Sequence, residues 1–258
     1  MINTNFIIIA TAIFGACIGS FLNVCIVRMP EKISIVFPPS SCPRCNYRIK
    51  WYDNIPVLSY LLLLGKCRSC RTKISIQYPL VEILTSFSAV YSFIYFSLTL
   101  KTLVVFIFIC YLIVISLIDL KYQIIPDELS LSGIVIFFLF SIFIKENNIL
   151  DSVLGIITGG GSLYLIILLY YLIKKEYGMG GGDIKLLAMI GAFTGYKGVF
   201  FTIFMASSLG TIIGIPVMIV NKENMKYKIP FGPFLSIASI IYIFHGRDII
   251  IWYLNFIR

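Results

Sequence analysis

Histidine is almost absent from this chain: His245 is the only one. It lies beside the last long apolar run, near the expected outer face. A Ser/His or Cys/His triad at the opposite face is therefore excluded, and so is a histidine-rich catalytic zinc site. Charge is scarce too. Only 13% of the 258 residues are Asp, Glu, Lys or Arg, against about 25% in a soluble domain, and the mean hydropathy is +0.95. A soluble protein of this composition would have to hide several runs of roughly 20 apolar residues, each long enough to span a bilayer. Internal repeats and low-complexity segments are also missing, although an inverted-repeat transporter usually shows a repeat. The formal charge of +9 suggests nucleic acid at first sight. The basic residues, however, cluster in loops between apolar runs, where anionic lipid headgroups are the simpler partner. No nucleic-acid partner is expected.

What the chain does contain is apolar length. Eight runs stand out, at residues 5–27, 79–100, 102–118, 129–144, 152–173, 184–196, 199–220 and 229–244. They predict an all-α membrane protein, a polytopic bundle of about eight transmembrane helices. The first run has no basic residue before it and is long for a signal peptide, so it is expected to be a retained span. Residues 28–78 form the only sizeable soluble segment, with nine Lys/Arg against Glu31 and Asp53. The expected organisation is a first helix over 1–27, a cytoplasmic loop over 28–78 and a seven-helix membrane core over 79–258. Threading the runs in alternation puts sixteen Lys/Arg on the cytoplasmic side, including Lys121, Lys174, Lys175, Lys185, Lys222, Lys226 and Lys228, and five outside: Lys101, Lys145, Lys197, Arg247 and Arg258. This asymmetry predicts both termini outside. It also places Asp119 and Asp183 at one, cytoplasmic, face. The tail at 248–257 is too short to span and is expected in the outer interface, where Trp252 and Tyr253 favour the headgroup level.

Two patterns carry chemistry. Cys42-Pro-Arg-Cys45 and Cys67-Arg-Ser-Cys70 are paired C-x-x-C knuckles with 21 residues between them. Each knuckle offers two thiolates from one tight turn, which suits a closed, structural tetrahedral zinc site. A cytoplasmic loop disfavours the alternative of disulfides. Cys17, Cys25 and Cys110 lie in apolar runs and read as small packing residues. The second pattern is a pair of acids at the edges of apolar runs, Asp119 and Asp183. Ionisable residues at such places are costly and are functional candidates. Two carboxylates close enough to share a proton can divide the work of proteolysis, one as general base on water and one as general acid. The glycines at 180–182 would let the backbone take positive φ and approach an extended peptide. Alternatives stay open here: Asp183 as a helix N-cap, Asp119 as an interfacial residue paired with Lys121, and Asp127 as a rival member of the pair.

Six stretches, in order, bring in a resemblance. They are GSFLNVCIVRMP (19–30), CPRC (42–45) with WYDNIPVLSYLLLLGKCRSC (51–70), ISIQYPLVE (74–82), IDLKYQIIPD (118–127), YGMGGGDIKLLAMIGAFTG (177–195) and PFGPFL (230–235). In these the chain resembles the type IV prepilin peptidases, the leader peptidase/N-methyltransferases of the GxGD class of intramembrane aspartyl proteases. The resemblance implies a bacterial inner-membrane enzyme. It would cut the basic leader of prepilins and pseudopilins after a glycine, at the cytoplasmic face, and then methylate the new N-terminus with S-adenosylmethionine. It puts the catalytic pair on Asp119 and Asp183, leaves Asp127 outside that pair, and places the cysteine tetrad on Cys42, Cys45, Cys67 and Cys70. It also ties Gly65 and Lys66 to methyl transfer, although no glycine-rich dinucleotide-type fingerprint marks a site for the methyl donor. Three rivals remain: a peptidase without methyl transfer, a cation or proton transporter with intramembrane carboxylates, and a membrane scaffold whose zinc loop binds a partner.

Overall fold

The computed structural model describes residues 4–144, 149–175, 180–221 and 229–257. Tyr177, Gly178 and Met179 of the glycine block lie outside these residues, as do Lys145, Lys222, Lys226, Lys228 and Arg258 of the charge count. Regular structure among the described residues is helical, as expected: α1 (Thr4–Arg28), the short α2 (Leu58–Leu62), α3 (Gln77–Phe96), α4 (Leu100–Tyr122), α5 (Asp127–Ile144), α6 (Ile149–Lys174), α7 (Gly181–Asn221) and α8 (Gly232–Ile257). Among the described residues six helices, α1, α3, α4, α6, α7 and α8, are long and apolar enough to cross a membrane.

The eight apolar runs fall on seven long helices, because the sixth and seventh share α7. That helix breaks at Gly195, whose φ of 72° and ψ of 178° lie outside helical space. Glycine reaches such a conformation without the steric penalty of a Cβ. The tail at 248–257 is not a separate segment, for α8 continues through it to Ile257. No proline interrupts the chain after Phe244, so nothing forces the helix to stop there.

The chain divides into two compact units, Met1–Val114 and Ile115–Arg258. In the first, α1 and α3 pack at very short range. A Cβ on Gly15 would sit 2.8 Å from Ala89 Cβ, and one on Gly19 would sit 2.7 Å from Glu82 Cα. Hydrocarbon gives apolar helices no drive to associate, so close backbone contact and hydrogen bonds do the work. One turn beyond Gly19, the Asn23 amide donates to Tyr78 O at 3.0 Å, and Ser86 Oγ donates to Ala12 O at 2.9 Å.

The loop between these helices is tied back to them. Buried Glu82, on α3, accepts the Val57 N–H at 2.7 Å, and Val57 holds a left-handed φ of 63° just before α2. Within the loop, Arg68 grips Asp53 with two nitrogens, Nε at 2.9 Å and Nη2 at 2.6 Å. This joins the 3-10 turn Trp51–Asn54 to the second cysteine knuckle.

In the second unit α6 and α7 cross on glycine. A Cβ on Gly155 would lie 2.1 Å from Gly191 O, a Cβ on Gly191 2.1 Å from Gly155 O, and one on Gly159 2.5 Å from Leu187 O. Only bare backbone fits. On the other sides of α7, Phe193 meets Phe137 of α5 (ring centroids 5.7 Å apart), and Phe201 meets Tyr242 of α8 at 5.4 Å. Gly191→Ala is therefore expected to lower the thermal unfolding midpoint in detergent, since overpacking costs about 1–3 kcal/mol or more. Gly161→Ala, where nothing lies within 4 Å, is expected to leave it unchanged.

Candidate active site

Asp119 stands in the last turn of α4, which continues past the apolar run to Tyr122, and is only 6% exposed. An acid so placed needs a partner. The partner is a backbone amide: the Gly232 N–H, at the first residue of α8, donates to Asp119 Oδ2 at 2.9 Å. A Cβ on Gly232 would lie 2.7 Å from that oxygen, so this contact demands glycine. The start of α8 also brings the positive end of its dipole to the acid, while the next amides, of Phe234 and Leu235, are taken by Phe231 O. Lys121 lies over the Tyr122 ring instead, 4.9 Å from its centroid.

Asp183 is the third residue of α7 and half-buried. It lies inside the first helical turn and not at the cap position. The α6–α7 crossing two turns further along sets where this helix end falls. Asp119 lies within electrostatic range of Asp183. Two contacts hold their sequence stretches together. A Cβ on Gly182 would be 2.9 Å from Ile125 Cβ, and Lys185 Nζ meets Asp127 Oδ1 at 2.6 Å. Asp127 is exposed and engaged by that lysine, as the first residue of α5.

Positive φ, expected for the glycines at 180–182, is absent: among the described glycines only Gly65 and Gly195 take it. Gly181 and Gly182 are helical. Gly182 instead permits the approach to Ile125, and Gly180 and Gly181 leave open space where side chains would stand. Chemically, the arrangement is two carboxylates at helix ends beside open space, one of them held by a main-chain amide. The role of the 230–235 stretch as donor to Asp119 was missed from sequence. Its only signal was a glycine between two prolines.

The four knuckle cysteines converge as well. Cys42, Cys45, Cys67 and Cys70 are free thiols whose sulfurs all lie within 4.8 Å of one another. Cys42 Sγ and Cys70 Sγ are 3.7 Å apart, and Cys45 Sγ and Cys67 Sγ 4.0 Å. A tetrahedral zinc with bonds of about 2.3 Å requires sulfur–sulfur edges of about 3.8 Å, so the tetrad fits that ion. Each knuckle is closed by a pair of main-chain bonds: Cys42 N–H to Tyr47 O and Asn46 N–H to Cys42 O in the first, Cys67 N–H to Thr72 O and Arg71 N–H to Cys67 O in the second. The Thr72 hydroxyl, then its main-chain amide, pull the Cys70 thiol down to about 6, whereas at Cys45 the downward pull of the Tyr47 amide is outweighed by desolvation and the other three thiols, which push it up to about 11, so the crowded thiols ionise unequally.

Comparison with known proteins gives the setting. The Bacterial Peptidase A24 N-terminal domain matches residues 13–96, and the Type IV leader peptidase family matches residues 106–215. A prepilin leader peptidase/N-methyltransferase of Pseudomonas putida is 33% identical over 266 residues, covering 95% of this chain and 92% of the relative. That of Pseudomonas aeruginosa is 34% identical over 272 residues, covering 96% and 94%, and that of Legionella pneumophila 32% over 278 residues, covering 97% and 96%. The chain belongs to the type IV leader peptidase family. No solved structure matches it.

In this leader peptidase family member, Gly65 and Lys66 immediately precede the second knuckle. Gly65 is buried at φ +65°, and a Cβ there would lie 2.9 Å from the Tyr60 hydroxyl, so the residue shapes the turn. Lys66 is exposed and pairs its backbone with Lys73. Metal analysis of the purified protein is expected to find one zinc per chain, and Cys42→Ser with Cys70→Ser to bring it well below stoichiometric.

Proposed function

We propose that the chain cleaves the leader from type IV prepilins and pseudopilins by aspartyl proteolysis and methylates the new N-terminus. Family membership and the names of its relatives support the two activities. The observation that carries the residue assignment is the buried Asp119 carboxylate, held by Gly232 and within electrostatic range of Asp183.

In the proposed reaction one aspartate takes a proton from water, and the resulting oxygen attacks the scissile carbonyl carbon. The other gives its proton to the carbonyl oxygen. As the carbon–nitrogen bond breaks, the leaving amine takes a proton back from the pair. The Gly232 amide fixes the aim of Asp119 through these transfers. The open space beside Gly180 and Gly181 supports an extended peptide lying against the start of α7. Asp127, engaged with Lys185, aligns the two stretches.

S-adenosylmethionine, when bound, supplies a methyl group on a sulfonium. Lys66 would hold its carboxylate, with Gly65 maintaining the turn that presents Lys66. Zinc on Cys42, Cys45, Cys67 and Cys70 would have all four positions filled by thiolate, and so brace the loop without activating water. The protein is a multi-pass membrane protein, and the excess of Lys/Arg in residues 28–78 supports a cytoplasmic loop and site with both termini outside. The proposed division is residues 1–27 as a first helix, 28–78 as the zinc loop and 79–258 as the membrane core.

Mass spectrometry of a candidate prepilin incubated with the purified protein and S-adenosylmethionine tests these roles together. Asp119→Asn and Asp183→Asn are each expected to slow leader cleavage by about 10²–10⁴-fold, the range general acid–base catalysis contributes. Asp127→Asn, which breaks an exposed ion pair of small energy, is expected to retain cleavage within about tenfold. Loss in Asp127→Asn with retention in Asp119→Asn would assign the wrong carboxylate. Lys66→Ala is expected to spare cleavage and reduce methylation, and equal loss of both would join the two sites.

A further inference from the structure

The loop between α1 and α3 carries an apolar surface that its zinc knuckles do not use. Trp51 is 81% exposed, Leu62 82% and Leu64 82%, with Leu58, Leu61 and Ile76 each more than half exposed. Single exposed apolar residues on a protein surface need no explanation. Six large ones within 26 residues of a soluble segment do, because such concentrations mark interaction sites. They come from neighbouring elements, since the 3-10 turn Trp51–Asn54 and α2 are in contact.

Three observations say what covers them. The first is attachment. Glu82, in the second turn of α3, grips Val57 at the start of α2. A spanning helix therefore holds α2 beside its own end. Asn23, near the end of α1, bonds Tyr78 at the start of α3, so α1 ends and α3 begins on the same side, and Ile76 directly precedes α3. The second is charge. Lys50, Lys66, Arg68, Arg71 and Lys73 are interleaved with the apolar residues, and residues 28–78 carry nine Lys/Arg against two acids. Apolar side chains among cations form the pattern that binds an anionic bilayer surface. The third is residue type, since tryptophan favours the headgroup level.

We propose that Trp51, Leu58, Leu61, Leu62, Leu64 and Ile76 seat the loop in the headgroup region of an anionic leaflet, at the face where α1 ends and α3 begins. The loop is then a membrane-bound platform. The Arg68–Asp53 clamp sets the tilt of the Trp51 turn, and the Glu82–Val57 bond sets the depth of α2. Neither Asp119 nor Asp183 contributes to this surface.

The chain has two tryptophans, so Trp252→Phe leaves Trp51 as the single reporter. The full-length variant is reconstituted into phosphatidylglycerol/phosphatidylcholine vesicles whose acyl chains are brominated at shallow or deep positions. Shallow bromines are expected to quench Trp51 at least about twofold more than deep ones, and aqueous acrylamide to quench it at least about twofold less than in the urea-unfolded protein. Adding Leu62→Asp and Leu64→Asp is expected to reverse both, with helix content by circular dichroism and zinc content unchanged. Trp51 open to acrylamide and untouched by bromolipid in the parent variant would overturn the proposal. Protection that rises with protein-to-lipid ratio would overturn it in favour of a second copy. Protection that appears only on adding prepilin would overturn it in favour of a peptide surface.

Discussion

Asp119 is an acid at the end of an apolar helix, almost without solvent, and its place depends on a main-chain donor. The start of α8 supplies that donor, and only because residue 232 has no side chain. A larger residue there would meet the carboxylate before the amide could reach it. The same device recurs across the second unit. Gly182 brings the start of α7 against Ile125. Further along α7, Gly191 lies bare against Gly155. The site is positioned by side chains that are missing more than by those that are present.

A bilayer makes this economical. Between helices in lipid there is no water to expel, so affinity comes from close van der Waals contact and hydrogen bonds. Glycine crossings maximise the first, and the few buried polar groups supply the second. In the first unit Gly15 and Gly19 bring α1 onto α3, and Asn23 and Ser86 bond across the contact. A tight crossing at mid-helix holds the helix end firmly. That firmness is what the proposed exchange of a proton between Asp119 and Asp183 requires, since small displacements of a reacting group are costly in rate.

The loop of the first unit solves a different problem. It has little core of its own, so it is held by bonds that do not depend on burying apolar surface: four converging thiols, a two-nitrogen Arg68–Asp53 clamp and a carboxylate grip from α3. Apolar side chains freed from packing remain on its surface. In a soluble protein they would be a liability, but beside a bilayer they are a means of attachment.

The membrane character, most helix positions and the cysteine pairing were legible in the amino-acid order, because each is encoded locally. A run of 20 apolar residues spans whatever surrounds it, and a C-x-x-C turn presents two sulfurs by itself. Asp119 and Asp183 stood out because acids are rare beside such runs. Their relation to each other, the engagement of Asp127 by Lys185, the break at Gly195 and the Gly232 donor were decided by the tertiary structure. Apart from the break, each of these depends on a meeting between residues about 60 to 110 positions apart, and at Gly195 and Gly232 it is a glycine that permits the arrangement. A glycine in a sequence says only that a side chain is missing. Which backbone fills the space is settled when the helices cross.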